Sequence, residues 1–155
     1  MTINLGQPTD RRPPFKFSAY TRVGFSDTDA QGIVYYGRYL PYFDLARTEY
    51  LRYLGLLSQD LRGQEFVMRA LSVVYEAPAR FDDLLEVFIR TSRIGRSSVT
   101  SEFCAVHENG TLMCTAEQTL VLVDLAGRRP VAVPAEFRSA IAAFEGADLE
   151  AAVPR

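Results

Sequence analysis

Two carboxylates stand just ahead of a tyrosine-rich segment that is predicted to begin a helix. The segment reads Ser26-Asp27-Thr28-Asp29-Ala30-Gln31-Gly32-Ile33-Val34-Tyr35-Tyr36-Gly37-Arg38-Tyr39-Leu40. A helix N-terminus offers unpaired backbone N–H groups and the positive end of a dipole, so it suits an oxyanion. Amides aimed at a developing negative charge polarise a bound carbonyl. A nearby carboxylate can then attack that carbonyl or activate a water.

The segment resembles the signature of hot-dog-fold acyl-CoA thioesterases of the 4-hydroxybenzoyl-CoA thioesterase type. That signature is roughly D-x-D-x-x-G-x-V-[YW]-[YH]-x-x-Y followed by a helix, and every fixed position of it is filled here. The resemblance implies hydrolysis of an acyl-CoA thioester to a free acid and coenzyme A. It also implies that Asp29 is the nucleophile or general base and that the backbone N–H of Tyr36 is the oxyanion donor. Gly32 allows a sharp turn between them.

Both aspartates have an alternative role as turn residues, because Asp readily hydrogen-bonds to its local backbone and caps helices. We expect that role for Asp27. The catalytic interpretation is preferred for Asp29 because it rests on the whole motif and not on one acid in a loop. An alternative for the whole chain is a noncatalytic acyl-CoA or aryl-CoA binding protein, which would keep the pocket and lack a competent acid.

The acyl group is less constrained by the sequence. Tyr35 and Tyr39 are expected to bind substrate, and the tyrosines here can flank a flat aromatic acyl group or pave a channel for a medium aliphatic chain. Asp44 stands where some aryl-specific members of the resembled family carry an acid near the ring hydroxyl, although members with aliphatic substrates carry one too. We therefore prefer a hydroxyaryl or small aromatic acyl-CoA over a short-to-medium aliphatic one by a narrow margin.

Two basic turns form a second group of candidates. Arg96 lies in Arg93-Ile94-Gly95-Arg96-Ser97-Ser98, and Arg128 and Arg129 lie in Gly127-Arg128-Arg129-Pro130. In the resembled family, corresponding turns help to hold the phosphates of coenzyme A. The planar guanidinium suits that task because it grips phosphate oxygens with two hydrogen bonds. Basic turns between strands also serve solubility, so Arg96 is the first candidate and the others follow it.

Composition excludes several classes of protein. The chain has 155 residues, 48% hydrophobic content and a net charge of −2, which predict one domain and give no support for nucleic-acid binding. Neither a signal-peptide core nor a run long enough to span a bilayer is found, so we expect a cytoplasmic protein with no membrane partner. No nucleoside-triphosphate or dinucleotide motif occurs.

The cysteines and the histidine argue against a metal site or a histidine-based triad. The two cysteines, Cys104 and Cys114, are expected to be reduced and buried. His107 is the single histidine, so a zinc site of Cys and His type lacks ligands. It stands three residues from Cys104 in a predicted strand, where alternation sends the side chains to opposite faces, so a surface or edge position is expected. No metal and no cofactor are predicted, since coenzyme A is part of substrate and product.

The pattern of elements predicts an α+β fold. A flexible arm over residues 1–15 precedes a strand at Phe15–Phe25 and a long helix whose first turn holds Pro41 and whose C′ residue is Gly55. A helical wheel puts Tyr42 and Tyr53 among the buried residues of that helix. The four strands that follow are predicted at Phe66–Ala79, Leu84–Arg93, Ser98–Glu108 and Thr111–Leu125. A short helix, Ala135–Phe144, and a frayed tail over residues 145–155 complete the chain.

Long strands in succession without intervening helices exclude a doubly wound parallel sheet. Asn109-Gly110 predicts a type I′ hairpin between two of them. The element order resembles the hot-dog fold, in which an antiparallel sheet wraps one long central helix, here over residues 16–144. One helix cannot cover such a sheet, so a homodimer is expected. The resemblance also implies a site at the dimer interface and allows a homotetramer.

Overall fold

The computed structural model describes residues 3–58 and 61–151, whose strands form one antiparallel sheet beside a long helix. The strands are β1 (Gly6–Arg12), β2 (Phe15–Arg22), β3 (Gln64–Tyr75), β4 (Leu84–Ile94), β5 (Ser98–His107), β6 (Leu112–Asp124) and the two-residue β7 (Arg129–Pro130). The helices are α1 (Tyr39–Tyr53) and α2 (Ala135–Glu145). The order across the sheet is β1-β2-β4-β5-β6-β3, with β7 beside β6. The predicted single-domain α+β hot-dog architecture is therefore confirmed.

Helix α1 packs against the inner face of the sheet. Pro41 lies in its first turn, and Gly55 follows it with a φ of 74°, as predicted. Phe43 is buried, and its ring lies 4.8 Å from that of Phe103 on β5. Tyr53 differs from the prediction, since it is 54% exposed, although its ring centre lies 5.6 Å from that of Phe17 and 5.8 Å from that of Phe144.

A buried polar cluster joins the two helices to the inner face. The Glu145 carboxylate, at the end of α2, is fully buried and accepts a 2.7 Å hydrogen bond from the Tyr50 hydroxyl. It also accepts a 2.9 Å bond from the Thr91 backbone N–H. Burial raises the pKa of Glu145, because the charged form loses more hydration than the neutral acid.

The N-terminal arm is not wholly flexible, which corrects the prediction for residues 1–15. Residues Gly6–Arg12 form β1, an edge strand paired with β2. A Cβ on Gly6 would stand 2.7 Å from the Phe17 ring and 3.0 Å from the Glu49 Cβ. Glycine therefore lets β1 approach the core closely, and this contact leaves Glu49 only 7% exposed. Met1 and Thr2 lie outside the described residues.

The predicted frayed tail is also partly ordered. Helix α2 ends at Glu145, a single 3-10 turn spans Gly146–Asp148, and Glu150 forms an isolated bridge with Arg93. The Glu150 backbone N–H donates to the Ser92 carbonyl at 2.7 Å. Polar contacts with β4 thus hold the chain as far as this bridge, while residues 152–155 lie outside the described part.

The hairpin between β5 and β6 forms as predicted but with a different turn. Gly110 has a φ of 92°, whereas Asn109 is not among the described residues with positive φ, so the type I′ assignment is wrong. The Gly110 backbone N–H donates to the His107 carbonyl and the His107 N–H to the Thr111 carbonyl, each at 2.8 Å. This pattern fits a type I turn followed by a left-handed glycine.

Strand β3 is an edge strand, since β6 is its only partner among the described strands. It is twelve residues long and carries exposed apolar side chains, including Val67 at 41% and Val74 at 56% exposure. A long apolar edge with unpaired backbone groups is a template for pairing with another chain.

The buried Glu145 carboxylate makes a prediction about pH. At pH values between the ordinary pKa of 4.5 and the raised pKa, the Glu145 carboxyl is ionised in the unfolded chain but still protonated in the folded chain. The free energy of unfolding therefore falls as the pH rises through this window. Glu145→Gln keeps an acceptor for Tyr50 and Thr91 but does not titrate. We expect the thermal midpoint of Glu145→Gln minus that of the parent protein to increase as the pH is raised from 4 to 8 at fixed protein concentration.

Glu117→Gln removes a charge at an exposed position and serves as the control for that experiment. Parallel pH profiles for the parent protein and Glu145→Gln would show that the buried carboxyl does not couple to folding.

Candidate active site

The Asp27 carboxylate holds the motif against the start of α1 through several polar contacts. Its Oδ2 accepts hydrogen bonds from the Gly24 N–H and the Tyr42 hydroxyl, both at 2.8 Å, and its Oδ1 lies 3.4 Å from the Arg38 Nε. The Asp27 carbonyl accepts from the Tyr35 N–H at 2.9 Å. Burial, and then the bond to Asp27, raise the pKa of Tyr42. Asp27 is therefore a structural residue, as its turn interpretation predicted.

A tight turn positions Asp29. Gly32 has a φ of 77° and donates its N–H to the Asp29 carbonyl at 3.0 Å, while the Asp29 N–H donates to the Ile33 carbonyl at 2.9 Å. The Gln31 N–H donates to Asp29 Oδ1 at 2.8 Å. The other carboxylate oxygen, Oδ2, has no hydrogen-bond donor within residues 3–58 and 61–151. One carboxylate oxygen is thus anchored, and the other is available to a bound molecule.

The backbone around Tyr36 leaves one amide unoccupied. The Tyr35 N–H is taken by Asp27, and the Arg38 N–H donates to the Tyr35 carbonyl at 2.8 Å. No backbone acceptor in the described residues meets the Tyr36 N–H, which begins the 3-10 turn Tyr36–Arg38 ahead of α1. The Tyr75 hydroxyl donates to the Tyr36 carbonyl at 2.8 Å and so restrains this backbone. An unpaired amide at this place suits an oxyanion.

Asp29, Tyr36 and Tyr39 line one cleft of about 260 Å³. Tyr39 is 3% exposed, and burial raises its pKa to about 12, so its hydroxyl is neutral at physiological pH. The opposite wall comes from Tyr75 and Glu76 at the end of β3. Neither residue was predicted from the sequence, because only the register of β3 with β6 brings them to the motif.

Two predicted substrate residues lie outside this cleft. Tyr35 stacks on Tyr36 with ring centres 4.2 Å apart and is 43% exposed, and its hydrogen bond with Tyr36 raises its pKa. Asp44 lies on the exposed side of α1, where its carboxylate meets Arg47 Nη2 at 3.2 Å. Within one chain, therefore, Asp44 does not face the space beside Asp29.

The basic turns lie at the opposite end of the sheet from Asp29. The cleft adjoins the start of β6, because the Glu76 N–H donates to the Met113 carbonyl at 2.8 Å. Arg128 and Arg129 follow the other end of that strand, about 40 Å of extended chain away. Arg96, in the turn between β4 and β5, shares their end, and all three are exposed. One chain alone does not bring them to Asp29.

The cysteine prediction is confirmed, since Cys104 and Cys114 are both free and buried. Burial raises the pKa of Cys114 to about 12, so it is an inert thiol. His107 ends β5 with its Nε2 3.3 Å from Asp83 Oδ1, and its side chain is 16% exposed. His107 is therefore less exposed than the surface position that was predicted for it.

Among the described residues, no helix is both long and apolar enough to cross a bilayer.

The fold and the cleft define a thioesterase of the hot-dog class, and comparison with known proteins agrees. The sequence model of the thioesterase-like superfamily matches residues 23–141. Acyl-CoA thioesterase YbgC of Haemophilus influenzae is 38% identical over 127 residues, which cover 80% of this chain and 93% of that protein. The chain therefore belongs to the thioesterase-like superfamily.

Solved structures show the same architecture. A probable thioesterase from Bartonella henselae is 31% identical with a TM-score of 0.68, covering 76% of this chain and 98% of that one. A thioesterase-superfamily protein from Jannaschia sp. CCS1 has a TM-score of 0.80 at 21% identity, covering 91% of this chain and 89% of that one, and this likeness concerns the fold alone. The predictions of family, fold and enzyme class are confirmed.

Proposed function

We propose that the protein hydrolyses acyl-CoA thioesters to a free acid and coenzyme A. The observation that carries the proposal is the cleft itself, in which Asp29 has one unpaired carboxylate oxygen and the Tyr36 N–H has no backbone acceptor among the described residues. The names of the YbgC relatives support the same substrate class.

In this mechanism the thioester carbonyl oxygen accepts a hydrogen bond from the Tyr36 N–H. Oδ2 of Asp29 attacks the carbonyl carbon, the C–S bond breaks, and coenzyme A leaves as a thiolate that takes a proton from water. A second water then cleaves the mixed anhydride and restores Asp29. In the alternative route Asp29 accepts a proton from a water that attacks the same carbon. Neither route needs a metal ion or a cofactor.

The proposed active unit is a homodimer, alone or within a homotetramer, formed through β3. A two-fold axis at the middle of β3 would pair the strand with its copy, because a two-fold makes the same surface meet itself in antiparallel fashion. Such pairing would satisfy the unpaired backbone of the edge and cover Val67 and Val74.

The same axis would assemble a complete site from two chains. Antiparallel pairing about the middle of Gln64–Tyr75 sets the partner's Tyr75 opposite Gln64. The partner's cleft would then lie at the end of the sheet that carries Arg96, Arg128 and Arg129. We propose that these arginines bind the phosphates of coenzyme A in the partner's site. The separation of cleft and basic turns within one chain is the observation that favours this arrangement.

The acyl group is proposed to be a hydroxyaryl or other aromatic group, or a short-to-medium aliphatic chain. Tyr39 supplies an aromatic wall beside Asp29 in the cleft. Asp44 and Tyr35 remain proposed substrate contacts, with Asp44 on the side of α1 left open for a partner.

The sharpest test of the mechanism is Asp29→Asn. This change keeps size and the hydrogen bond from Gln31 but removes the charge, so kcat for a good acyl-CoA should fall at least about a hundredfold. Binding of a nonhydrolysable acyl-CoA analogue, measured by calorimetry, should survive because the cleft and the Tyr36 amide remain. Asp27→Asn provides a comparison at the structural aspartate and should lower the thermal midpoint instead.

If folded Asp29→Asn cleaves every active thioester at the parental rate, Asp29 is only a turn residue. If the parent protein binds the analogue but hydrolyses no acyl-CoA, it is the noncatalytic binding protein.

Assembly through β3 is tested by Val67→Lys combined with Val74→Lys. Two charges on the paired edge should convert the dimer to monomers in sedimentation velocity and should lower activity with it. Leu5→Lys changes an exposed apolar residue near the opposite edge and should leave the sedimentation profile unchanged. A fully active parental monomer at the assay concentration would exclude the two-chain site.

The role of Arg96 is tested by Arg96→Ala. A phosphate contact far from the thioester binds ground state and transition state alike, so KM for acyl-CoA should rise while kcat changes little. An acyl-pantetheine, which lacks the nucleotide, is the control substrate. Equal harm to both substrates would mean that Arg96 serves the fold or the chemistry and not coenzyme A.

A further inference from the structure

Tyr75, the last residue of β3, reaches the motif that precedes α1. Its hydroxyl donates a 2.8 Å hydrogen bond to the Tyr36 carbonyl. Its ring packs edge-on against that of Tyr39, with the ring centres 5.7 Å apart and the ring planes at 64° to each other. All three tyrosines line the cleft that contains Asp29. A side chain of the sheet therefore contacts the backbone that carries the candidate oxyanion donor.

The sheet fixes the backbone of Tyr75. Tyr75 pairs with Cys114 on β6, and Cys114 is fully buried. The two residues that follow, Glu76 and Ala77, both donate their backbone N–H groups to the Met113 carbonyl, at 2.8 and 3.1 Å. The Tyr75 backbone is thus held on both sides, although the residue itself is 49% exposed. Its hydroxyl is therefore an anchor for a segment that lies outside the sheet.

Two backbone bonds next to Tyr36 lie inside the motif itself. The Tyr35 N–H donates to the Asp27 carbonyl at 2.9 Å, and the Arg38 N–H donates to the Tyr35 carbonyl at 2.8 Å. Both bonds join residues of the same segment, so they shape it without tying it to the sheet. Tyr36 is also 63% exposed, so packing contributes little to its orientation. The direction of its backbone therefore depends on contacts from outside the segment.

The Tyr75 contact acts on the same residue that carries the candidate oxyanion donor. Another contact from outside the segment, from the Val34 N–H to the Ala79 carbonyl at 2.8 Å, lies two residues earlier. Only the φ and ψ rotations of Tyr36 separate its N–H from its carbonyl, because each peptide group is planar. A hydrogen bond that fixes the direction of the carbonyl therefore limits the direction of the N–H.

The direction of that N–H matters most in the transition state. One oxyanion-hole donor contributes about 10²–10³ to kcat when it is aimed in advance at the place where charge develops. A misplacement of about 1 Å can cost about 100-fold. The Tyr75 hydroxyl has a single proton, which it gives to the Tyr36 carbonyl. Tyr75 would therefore act on the thioester through Tyr36 and not by direct contact.

We propose that Tyr75 is a positioning residue for thioester hydrolysis, whose hydroxyl holds the Tyr36 carbonyl so that the Tyr36 N–H meets the thioester oxygen. The proposal rests on the proposed function, in which that N–H is the oxyanion donor. It gives a role in the reaction to the end of an edge strand that lies 39 residues from Tyr36 in the sequence. Two parts of the fold then orient the two reacting groups, since the turn at Gly32 positions Asp29 and β3 positions the Tyr36 amide.

Tyr75→Phe tests this role by kinetics. The change keeps the ring and its packing on Tyr39 but removes the donor, and the released carbonyl can bond to water. We expect kcat for a good acyl-CoA to fall about 10-fold while KM changes less than about twofold, because the lost interaction belongs to the transition state. The thermal midpoint should stay near the parental value. Tyr53→Phe removes a hydroxyl at the far end of α1 and, as the matched control, should leave kcat unchanged.

Two kinetic results would overturn the proposal. A parental kcat in folded Tyr75→Phe would show that the hydroxyl does not position the donor. A raised KM with a parental kcat would make Tyr75 a substrate-binding residue instead.

The carbonyl stretching frequency of a bound thioester gives a second test, which does not depend on turnover and so also decides if Tyr75→Phe is less stable. The probes are benzoyl-CoA and octanoyl-CoA with an isotopically labelled thioester carbonyl, bound to Asp29→Asn so that they are not consumed. The hydrogen bond from the Tyr36 N–H should lower this frequency relative to the free ester in an apolar solvent. Adding Tyr75→Phe to Asp29→Asn should reverse part of that shift, and adding Tyr53→Phe should not.

These spectra separate failure of the positioning role from failure of the proposed function. If neither ester binds to Asp29→Asn, or if the carbonyl frequency of the bound esters is not lowered, the Tyr36 N–H is not the oxyanion donor and the proposed function is contradicted. If the frequency is lowered but Tyr75→Phe leaves it unchanged, the role of Tyr75 alone is overturned.

Discussion

Packing of α1 on the inner face of the sheet is the interaction on which the site depends. The buried stack of Phe43 on Phe103 sets the position of the helix. The helix in turn positions the motif, since the Tyr42 hydroxyl in the first turn of α1 donates a hydrogen bond to Asp27. The Asp27 carbonyl in turn accepts the Tyr35 N–H, and the next amide, that of the cleft residue Tyr36, has no backbone acceptor among the described residues. A core contact thereby positions the amide that is the proposed oxyanion donor.

The two ends of the sheet carry different parts of the proposed chemistry. The Asp29 cleft lies at one end, while Arg96 and the basic turn after β6 lie at the other. An antiparallel pair of β3 strands brings unlike ends together, so a symmetric dimer joins parts that one chain holds apart. In the proposed dimer, the edge of β3 that has no partner among the described strands would therefore bear on function.

Most features that depend on neighbouring residues were predictable from the sequence, although the turn type at Asn109-Gly110 was not. Asp29, Gly32 and Tyr36 lie within a few residues of one another, and turn bonds fix their geometry. The limits of α1 followed from Pro41 and Gly55. Features that depend on distant pairing were missed. Tyr75 and Glu76 reach the cleft through the register of β3 with β6, and β1 is ordered by contact with Phe17 and Glu49. Neither the register of β3 with β6 nor the packing of β1 on the core can be deduced from residues close together in the sequence.

Exclusion of water from the cleft is one way in which a second chain would affect the proposed chemistry. In a single chain Asp29 is partly exposed and Tyr36 is 63% exposed, so the amide dipole and the carboxylate act in a medium of high dielectric constant. The same groups interact far more strongly with a developing oxyanion once water is excluded. The partner that covers the β3 edge would also close this space. Association would thus supply catalytic electrostatics as well as buried area, and activity would fall when chains separate even though each chain keeps its own Asp29.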